Sequence, residues 1–379
     1  MTFADEFCFP FLLRSRNADG GWGYRPGTTS GVEPTCWALL ALARRSNRGH
    51  LDLGASDTRR ALAQSNAKGP DAVGADPNAV RPYERPPNEP ASEDEALKLG
   101  RLWLHQAQLP DGSWPPFAGQ PQGCWVTALA CLALRTHKDS AERVGRGVQW
   151  LCNAWPAEGR YWRRLLNRLR RKSAAARQND ALRGWSWTPG TASWVEPTAL
   201  SLILLKALPG HLLPRSSEKR KRLAEAMLYD RMCLGGGWNA GNSLVYNVAL
   251  APRVGPTAWA LLALLDRRDR EENRMSLDWL AGVYPEIQGP GSLALAHLSL
   301  EAYGRRVPEN ESSKLGNGNS KLEVQNSTSA VDALPAWEPC LRSRHAVNGF
   351  LMNVAVAAWV VLALQGMPDW LPQKVKVES

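Results

Sequence analysis

A segment near the amino end of the chain is repeated 163 residues later. Residues 20–35 read GGWGYRPGTTSGVEPT, and residues 183–198 read RGWSWTPGTASWVEPT. Over the fifteen positions that start at Gly21 and at Gly184, ten residues are identical. Each copy contains Gly-Trp, Pro-Gly-Thr and Val-Glu-Pro-Thr, and an apolar run follows directly. A repeat of this kind indicates an architecture that is built by stacking one structural unit.

Six apolar runs predict six buried helices. Two of them, CWALLALARR and ALSLILLKAL, follow the copies of Val-Glu-Pro-Thr. The others are VGPTAWALLALLD from Val254, CWVTALACLALR from Cys124, GPGSLALAHLSLEAYG from Gly289 and NVAVAAWVVLALQG from Asn353. Alanine and leucine occupy every face of these runs, which is typical of helices that are buried all round.

A second set of segments is amphipathic, and one such segment precedes each apolar run. They cover residues 7–16, 95–108, 141–153, 219–232 and 274–283, and a sixth is expected within 331–344. A Gly-Trp or Gly-x-Trp turn joins the two kinds of segment at Trp22, Trp114, Trp185 and Trp238. The pattern therefore predicts helical hairpins, each with one buried and one half-exposed helix.

Six such hairpins predict an all-α fold, the (α/α)6 toroid, with the apolar helices in an inner ring and the amphipathic helices in an outer ring. We expect one toroid domain over residues 1–379. An open superhelical solenoid of hairpins is the alternative, because stacked repeats also bury their apolar faces against neighbours. The closed ring is favoured since the inner helices have no polar face to present to water.

Three stretches interrupt the repeats. Residues 47–93 form an excursion rich in proline and glycine, 156–183 form a basic insertion, and the polar residues 306–332 are expected to be a disordered loop. The basic insertion contains RYWRRLLNRLRRKSAAAR, from Arg160 to Arg177, with eight basic residues and no acid. Either it is a solvated basic helix or loop, or it makes peripheral contact with an anionic membrane. We expect no nucleic-acid partner, because no base-reading module accompanies it.

Cysteine usage bears on the compartment. The seven cysteines are an odd number without C-x-x-C pairs, which is typical of a reducing compartment. The first residues lack the apolar core of a secretory signal, and no apolar run is long enough to cross a bilayer. We therefore expect a cytoplasmic protein, with the inner membrane surface as a peripheral site through the basic insertion.

The second repeat contains WLHQAQLPDGSW at residues 103–114. This resembles the QW motif of the squalene–hopene and oxidosqualene cyclases, in which an aromatic residue and leucine are followed by Gln and then by Gly-x-Trp. The first and fourth repeats keep the Gly and Trp positions but have Arg16 and Met232 in place of Gln. Over about 300 of its 379 residues, the chain resembles the prenyltransferase and squalene-cyclase repeat superfamily. The resemblance implies a single α/α toroid in which the Gln and Trp are structural.

The chain departs from each branch of that superfamily. It lacks the Asp-x-Asp-Asp motif with which class II cyclases protonate an alkene. Cys36 and Cys124 have no Asp two residues earlier, so the zinc site of the protein prenyltransferases is not matched either. The thioester motif of complement-type domains is also absent. The fold is therefore better indicated than the activity.

Two carboxylates occupy equivalent places, since Glu33 and Glu196 each precede the proline of an apolar run. In a dry cavity such a carboxyl keeps its proton and can act as a general acid toward an alkene, so both are candidate catalytic residues. The alternative is that each Glu only stabilises the amino-terminal end of its helix.

Aromatic residues supply the candidate substrate-binding positions. Trp37, Trp259 and Trp359 share one register in three apolar runs, so they would lie at one height of the ring. If they face the cavity they can stabilise a carbocation, and if they face outward they pack between helices. Further candidate substrate-binding residues are His297, Trp125 and Tyr246. A structural role is the alternative for His297.

The resemblance, together with these residues, implies a terpenoid-cyclase-like protein that binds or cyclises an isoprenoid in its central cavity by proton-initiated carbocation chemistry. We expect neither a cofactor nor a metal ion. A non-catalytic lipid-binding or scaffold toroid is the first alternative. A zinc-dependent, prenyltransferase-like protein is the second, with Cys36, Cys124 and His297 as its only evident ligands.

Overall fold

The structure is a computed structural model that describes residues 2–46, 92–159, 178–304, 341 and 353–372. Within these residues there are eleven α-helices. They are α1 Phe9–Arg14, α2 Val32–Ser46, α3 Glu93–Ala107, α4 Val126–Leu134, α5 Ala141–Asn153, α6 Val195–Ala207, α7 Ser217–Asp230, α8 Val254–Ala263, α9 Glu271–Val283, α10 Pro290–Ala302 and α11 Val354–Leu364.

Short elements connect the helices. A π-helical turn, Ala4–Cys8, leads into α1. The 3-10 turns are Lys138–Ser140, Ala157–Gly159, Gly210–Leu212, Leu265–Arg267 and Tyr284–Glu286. Two strands of two residues each, β1 Leu244–Val245 and β2 Val248–Ala249, pair as an antiparallel hairpin between α7 and α8.

Six helices form a closed ring. Going round it, α2 packs against α4, α4 against α6, α6 against α8, α8 against α10 and α10 against α11. Helix α11 then packs against α2, which joins the last repeat to the first. A closed circuit of neighbours is a ring and not a spiral, so the predicted all-α toroid is confirmed and the open solenoid is excluded.

The remaining long helices lie outside this ring. Helix α3 packs on α2, α5 on α4, α7 on α6, and α9 on both α8 and α10. Helix α5 shows why it is an outer helix, because its buried residues Val144, Gly147, Val148, Leu151 and Cys152 follow the three-to-four-residue spacing of one helix face. Every residue of the inner helix α4 is buried. The apolar core therefore lies within the inner ring and between the inner ring and the outer helices.

The predicted outer segments agree with the observed helices to within a few residues. The sixth, expected within 331–344, lies outside the described residues except for Leu341, which is buried. Residues 47–91 of the predicted excursion 47–93, most of the basic insertion 156–183 and the predicted loop 306–332 also lie outside the described residues. The excursion was predicted to end too late, because Ser92 is the N-cap of α3 and Glu93 is its first residue.

The Gly-Trp turns form the same hydrogen bonds in successive repeats. The backbone N–H groups of Trp22, Trp114, Trp185 and Trp238 each donate to a threonine hydroxyl at 2.9 Å, namely those of Thr35, Thr127, Thr198 and Thr257. These threonines lie in the first turn of an inner helix and are fully buried. Each turn is therefore fixed to the helix that follows it, as buried backbone donors require.

The indole groups fix the same turns to the preceding outer segment. Nε1 of Trp22, Trp114 and Trp238 donates to a leucine carbonyl ten residues earlier, at 2.7, 2.7 and 2.6 Å. Trp185 instead donates to the carbonyl of Leu151 at 2.9 Å, because the basic insertion lengthens this repeat. Gln108 adds bonds from Nε2 to the carbonyls of Gly112 and Arg143, both at 2.9 Å. The turns thus connect each outer helix to its inner partner.

The segment after α11 crosses the carboxyl-terminal ends of the inner helices. Arg44 Nη2 donates to the carbonyl of Gln365 at 2.9 Å, and Arg135 Nη2 pairs with Asp369 Oδ1 at 2.9 Å. Trp370 of this segment is buried, with 2% of its surface exposed. Among the described residues, no helix is both long and apolar enough to span a membrane.

Candidate functional site

The amino-terminal ends of the six inner helices carry equivalent residues, either the N-cap or the second residue of each helix. Going round the ring, these residues, which we call the mouth layer, are Glu33, Trp125, Glu196, Gly255, Gly289 and Ala355. The layer is strongly asymmetric. Two acids and a tryptophan come from the first three repeats, and three very small residues come from the last three.

Glu33 lies in a recess. Its carboxylate is partly accessible to solvent but is surrounded by protein atoms, and this burial raises its pKa. The Tyr24 hydroxyl donates a hydrogen bond to Oε2 of Glu33, and this bond opposes the effect of burial on the pKa. The Trp37 indole acts on the carboxylate in the same direction, although Trp37 Nε1 makes no bond of full hydrogen-bond geometry with any described residue. Burial is the larger effect, so the pKa of Glu33 lies above its ordinary value.

Glu196 shares this environment. Burial raises its pKa, and the negative charge of Glu33 raises it further. Its Oε1 atom lies on the side of Gly255, 3.7 Å from the position that a Cβ would occupy there. A negative charge disfavours the ionisation of a carboxyl close to it, and the effect is larger in a poorly solvated site. The two predicted acids are therefore brought together at one mouth of the ring.

Cys124 lies near the acids as well. Burial raises the pKa of its thiol to about 11, and the charge of Glu33 adds to that effect while the backbone of Val126 opposes it. Burial also raises the pKa of Cys36. Both thiols are thus protonated at neutral pH, which makes them poor metal ligands. Within the described part of the chain, no group of three His, Cys, Asp or Glu side chains is placed to hold a metal ion.

Trp37, Trp259 and Trp359 meet in the middle of the ring. The rings of Trp37 and Trp259 stack with centroids 5.5 Å apart and an interplanar angle of 28°. Trp359 stands edge-on to both, at 5.8 Å from Trp37 and 6.4 Å from Trp259. The structure therefore brings the three predicted tryptophans together, in contact with one another and one helical turn below the mouth layer.

Two other predicted site residues lie away from this centre. His297 is 2% exposed, and its Nδ1 is 3.3 Å from the hydroxyl of Tyr284, which follows the outer helix α9. Burial lowers the pKa of His297 to about 4, so the ring is neutral. Tyr246 is 77% exposed at the tip of the β1–β2 hairpin, where it and Asn247 have the positive φ of a type I′ turn. Their roles in substrate binding stay predictions.

Trp125 lines a separate pocket of about 380 Å³ between the second and third repeats. The walls include Cys124 and the indoles of Trp125, Trp150, Trp155 and Trp185. Trp125 also stands edge-on to Trp187, with ring centroids 4.9 Å apart. Because Cys124 also interacts with Glu33, this pocket adjoins the mouth layer.

Sequence reasoning found Gly255 at the place of Glu33 and Glu196 in the fourth repeat, but it missed Tyr24 and Gly289. Tyr24 aligns with Trp187 in the third repeat, so an aromatic residue at one place in both copies was the available signal. Within the described part of the chain, a Cβ at Gly289 would meet only Ser292 Oγ, at 3.8 Å. Among the residues that the structure describes, Gly255 and Gly289 therefore leave space at the mouth that carries the acids.

Comparisons with known proteins give a likeness in structure only. No protein-family model matches the sequence, and no curated protein matches it significantly. Among solved structures, the chain is similar to a protein from Actinoplanes, at 16% identity and a TM-score of 0.44, over 79% of this chain and 74% of the other. It is also similar to the type II terpene cyclase MstE from Scytonema, at 16% identity and a TM-score of 0.36, over 96% of both chains. Similarity at this level does not identify an activity.

Proposed function

We propose that the chain binds an isoprenoid with its terminal alkene between Glu33, Glu196 and the three tryptophans, and starts cyclisation by protonating that alkene. The observation that supports the proposal is the position of two carboxyls one helical turn from the three indoles, where burial raises the pKa of both and the charge of Glu33 also raises that of Glu196. A neutral carboxyl at neutral pH is the requirement for acid chemistry on an alkene, which is a very weak base.

Glu33 is the better candidate for the acid. Tyr24 occupies its Oε2 atom as a donor, so the proton that can be transferred lies on Oε1. Transfer of that proton forms a C–H bond, uses the alkene electron pair and leaves a tertiary carbocation with the Glu33 carboxylate beside it. The bond from Tyr24 then stabilises the carboxylate that has formed.

The tryptophans and the second acid serve the later steps. The indole of Trp359, which is half-buried whereas Trp37 is 1% exposed, stabilises the cation by about 1–2 kcal/mol when the ring is well placed. After ring closure, loss of a proton from carbon to the Glu196 carboxylate restores a double bond. A proton then passes from Glu196 to Glu33, directly or through water, and this restores the starting protonation of both carboxyls.

The test is turnover of polyprenyl substrates by purified protein that carries both Glu33→Gln and Glu196→Gln. Removal of the acids is expected to lower turnover by about 10²-fold or more. Glu218→Gln, on the exposed face of α7, is the control and should leave turnover unchanged. Full turnover by the double variant would show that these carboxyls are not the acids.

One observation favours a second function, a lipid-binding toroid without catalysis. Two of the three tryptophans are almost fully buried by contact with each other, Trp37 at 1% and Trp259 at 4% exposure, and this packing supplies stability without any substrate. Native mass spectrometry of the purified protein separates the two functions. An unmodified lipid that remains bound while the protein turns nothing over supports the binder, and release of a cyclised product supports the enzyme.

A further inference from the structure

We propose that Trp37, Trp259 and Trp359, together called the tryptophan floor, close the lumen of the ring and restrict the site to a shallow cup that admits only the terminal segment of a chain. The inference rests on the proposed function for the identity of the ligand. It assigns a new role to the three residues, which is to determine the length of apolar chain that the site can enclose.

The closure follows from the helices that carry the floor. Helices α2 and α8 are opposite each other in the ring, separated by two inner helices on either side. The Trp37 and Trp259 rings nevertheless stack at 5.5 Å, which is direct contact across the lumen. Trp359, from the helix next to α2, fills the remaining side edge-on. No chain can pass between rings in contact.

The other three inner helices carry leucine at the equivalent height. These residues are Leu129, Leu200 and Leu293, and each is at most 4% exposed. At this height the ring thus carries three indoles in mutual contact and three buried leucines. The Trp359 ring packs closely against Gly291, because a Cβ at that position would lie 3.1 Å from the ring. The layer has no room for a further side chain at that contact.

The depth of the cup is set by helix geometry. The acids and the floor residues are four positions apart on the same helices, as in Glu33 and Trp37, which corresponds to about 6 Å along the helix axis. The cup is wider on one side, where Gly255 and Gly289 have no side chain. A branched chain end therefore fits sideways toward α8 and α10, whereas a long chain must leave through the mouth.

The mouth offers an apolar surface for the part of the chain that stays outside. Cys124 and Trp125 belong both to the edge of the cup and to the neighbouring pocket of about 380 Å³. We thus expect the reacting end to be enclosed and the remainder to lie along indole rings near the surface. This arrangement predicts chemistry at the last alkene of a chain and not along its whole length.

The experiment measures the length of apolar chain that the site accepts, with straight-chain alcohols from butanol to hexadecanol as probes. Affinity should rise about fourfold for each methylene that enters the cup and then level off. In Trp359→Leu the floor is opened with a residue that three other repeats already carry at this height, so the rise should continue to longer alcohols. Trp37→Leu is the second variant, in case the first does not fold.

Leu261→Ala is the matched control. Leu261 is fully buried on α8, two residues after Trp259 and therefore on the other side of the helix, so its loss should leave the length dependence unchanged. The proposal is overturned if affinity in the unmodified protein keeps rising to hexadecanol. It is also overturned if both folded tryptophan variants keep the original length limit.

The same proteins are then given geraniol, farnesol and geranylgeraniol as ligands and their diphosphates as substrates. A floor that limits length should make Trp359→Leu favour the longest chain over the shortest by about tenfold relative to the unmodified protein. If the alcohol series shows the length limit but no isoprenoid is bound or converted, the role of the tryptophan floor is supported and the proposed function is wrong. If isoprenoids are converted without a length limit, the role of the tryptophan floor is wrong and the proposed function is supported.

Discussion

The hydroxyl of Tyr24 donates a hydrogen bond to Oε2 of Glu33. The backbone of Tyr24 is itself held in place, since its carbonyl accepts a hydrogen bond from the N–H of Val354, at the start of the last inner helix, at 3.0 Å. Tyr24 thus connects the acid of the first repeat to the helix that closes the ring. The orientation of the Glu33 carboxyl therefore depends on ring closure.

Tyr24→Phe is expected to raise the pKa of Glu33 further, because the lost hydrogen bond is one that lowers it. An acid of higher pKa stays protonated to higher pH, so the fall in turnover on the alkaline side should move to higher pH. A ¹³C NMR titration of the Glu33 carboxyl measures the change without any substrate. Tyr229→Phe, on the outer helix α7, is the control. A pKa of Glu33 that falls in Tyr24→Phe contradicts the assignment.

Glu33→Gln is expected to stabilise the protein at neutral pH. The folded-state pKa of Glu33 is raised above its ordinary value of 4.5, so folding favours the protonated form. The unmodified protein therefore loses stability as the pH rises from about the unfolded pKa through the folded pKa, and the amide has no such loss. Thermal unfolding near pH 4 and near pH 7.5 measures this. The melting temperature of the variant should exceed that of the unmodified protein only at the higher pH.

Glu196→Gln is also expected to stabilise the protein at neutral pH, since burial and the charge of Glu33 both raise the pKa of Glu196. The two variants should not be additive, because removal of one charge relieves the other carboxyl. A double variant whose stabilisation equals the full sum would show that the carboxyls do not interact.

Thr127→Val is expected to lower the free energy of unfolding by about 1–3 kcal/mol, the cost of a buried donor without a partner. The Thr127 hydroxyl accepts the backbone N–H of Trp114 at 2.9 Å, and valine has the same shape without the hydroxyl. Chemical denaturation measures the loss, and amide exchange at Trp114 should become faster. Thr136→Val, at an exposed site just after α4, should change neither.

Arg220→Lys is expected to lower the free energy of unfolding by about 2 kcal/mol, the value of a desolvated cation–π contact. The Arg220 guanidinium is fully buried, 4.1 Å from the ring centroids of both Trp155 and Trp185. Burial lowers its pKa to about 10. A lysine ammonium cannot lie flat against two rings. Arg222→Lys, on the exposed face of the same helix, is the control for denaturation.

Much of the fold follows from local patterns. Apolar residues on every face of residues 126–134 predict an inner helix, and one-sided spacing in 141–153 predicts an outer helix; the structure has both. The Gly-Trp turns were also predictable, because they repeat with the helices. The hydrogen bonds from Trp114 to Thr127 and Leu104 were not, because they depend on how the two helices pack.

Some residues of the candidate site could likewise be predicted from the sequence, and others could not. Glu33 and Glu196 stand out in the sequence because they occupy the same place in two copies of one repeat. Tyr24 does not, since its aligned partner is a tryptophan. The register of Trp37, Trp259 and Trp359 is visible in the sequence, but whether they face the lumen is not, because apolar residues cover every side of those helices.

By itself, the sequence of this protein determined the repeat, the two kinds of helix and the equivalence of the ring positions, because periodicity and turn residues act over a few neighbouring residues. Only the tertiary structure decided that Trp37 stacks on Trp259, that the charge of Glu33 raises the pKa of Glu196, and that Gly255 and Gly289 leave space among the described residues at the same mouth. These relationships join residues that are as much as 256 positions apart, as Glu33 and Gly289 are (289 − 33), and closure of the ring sets their distances.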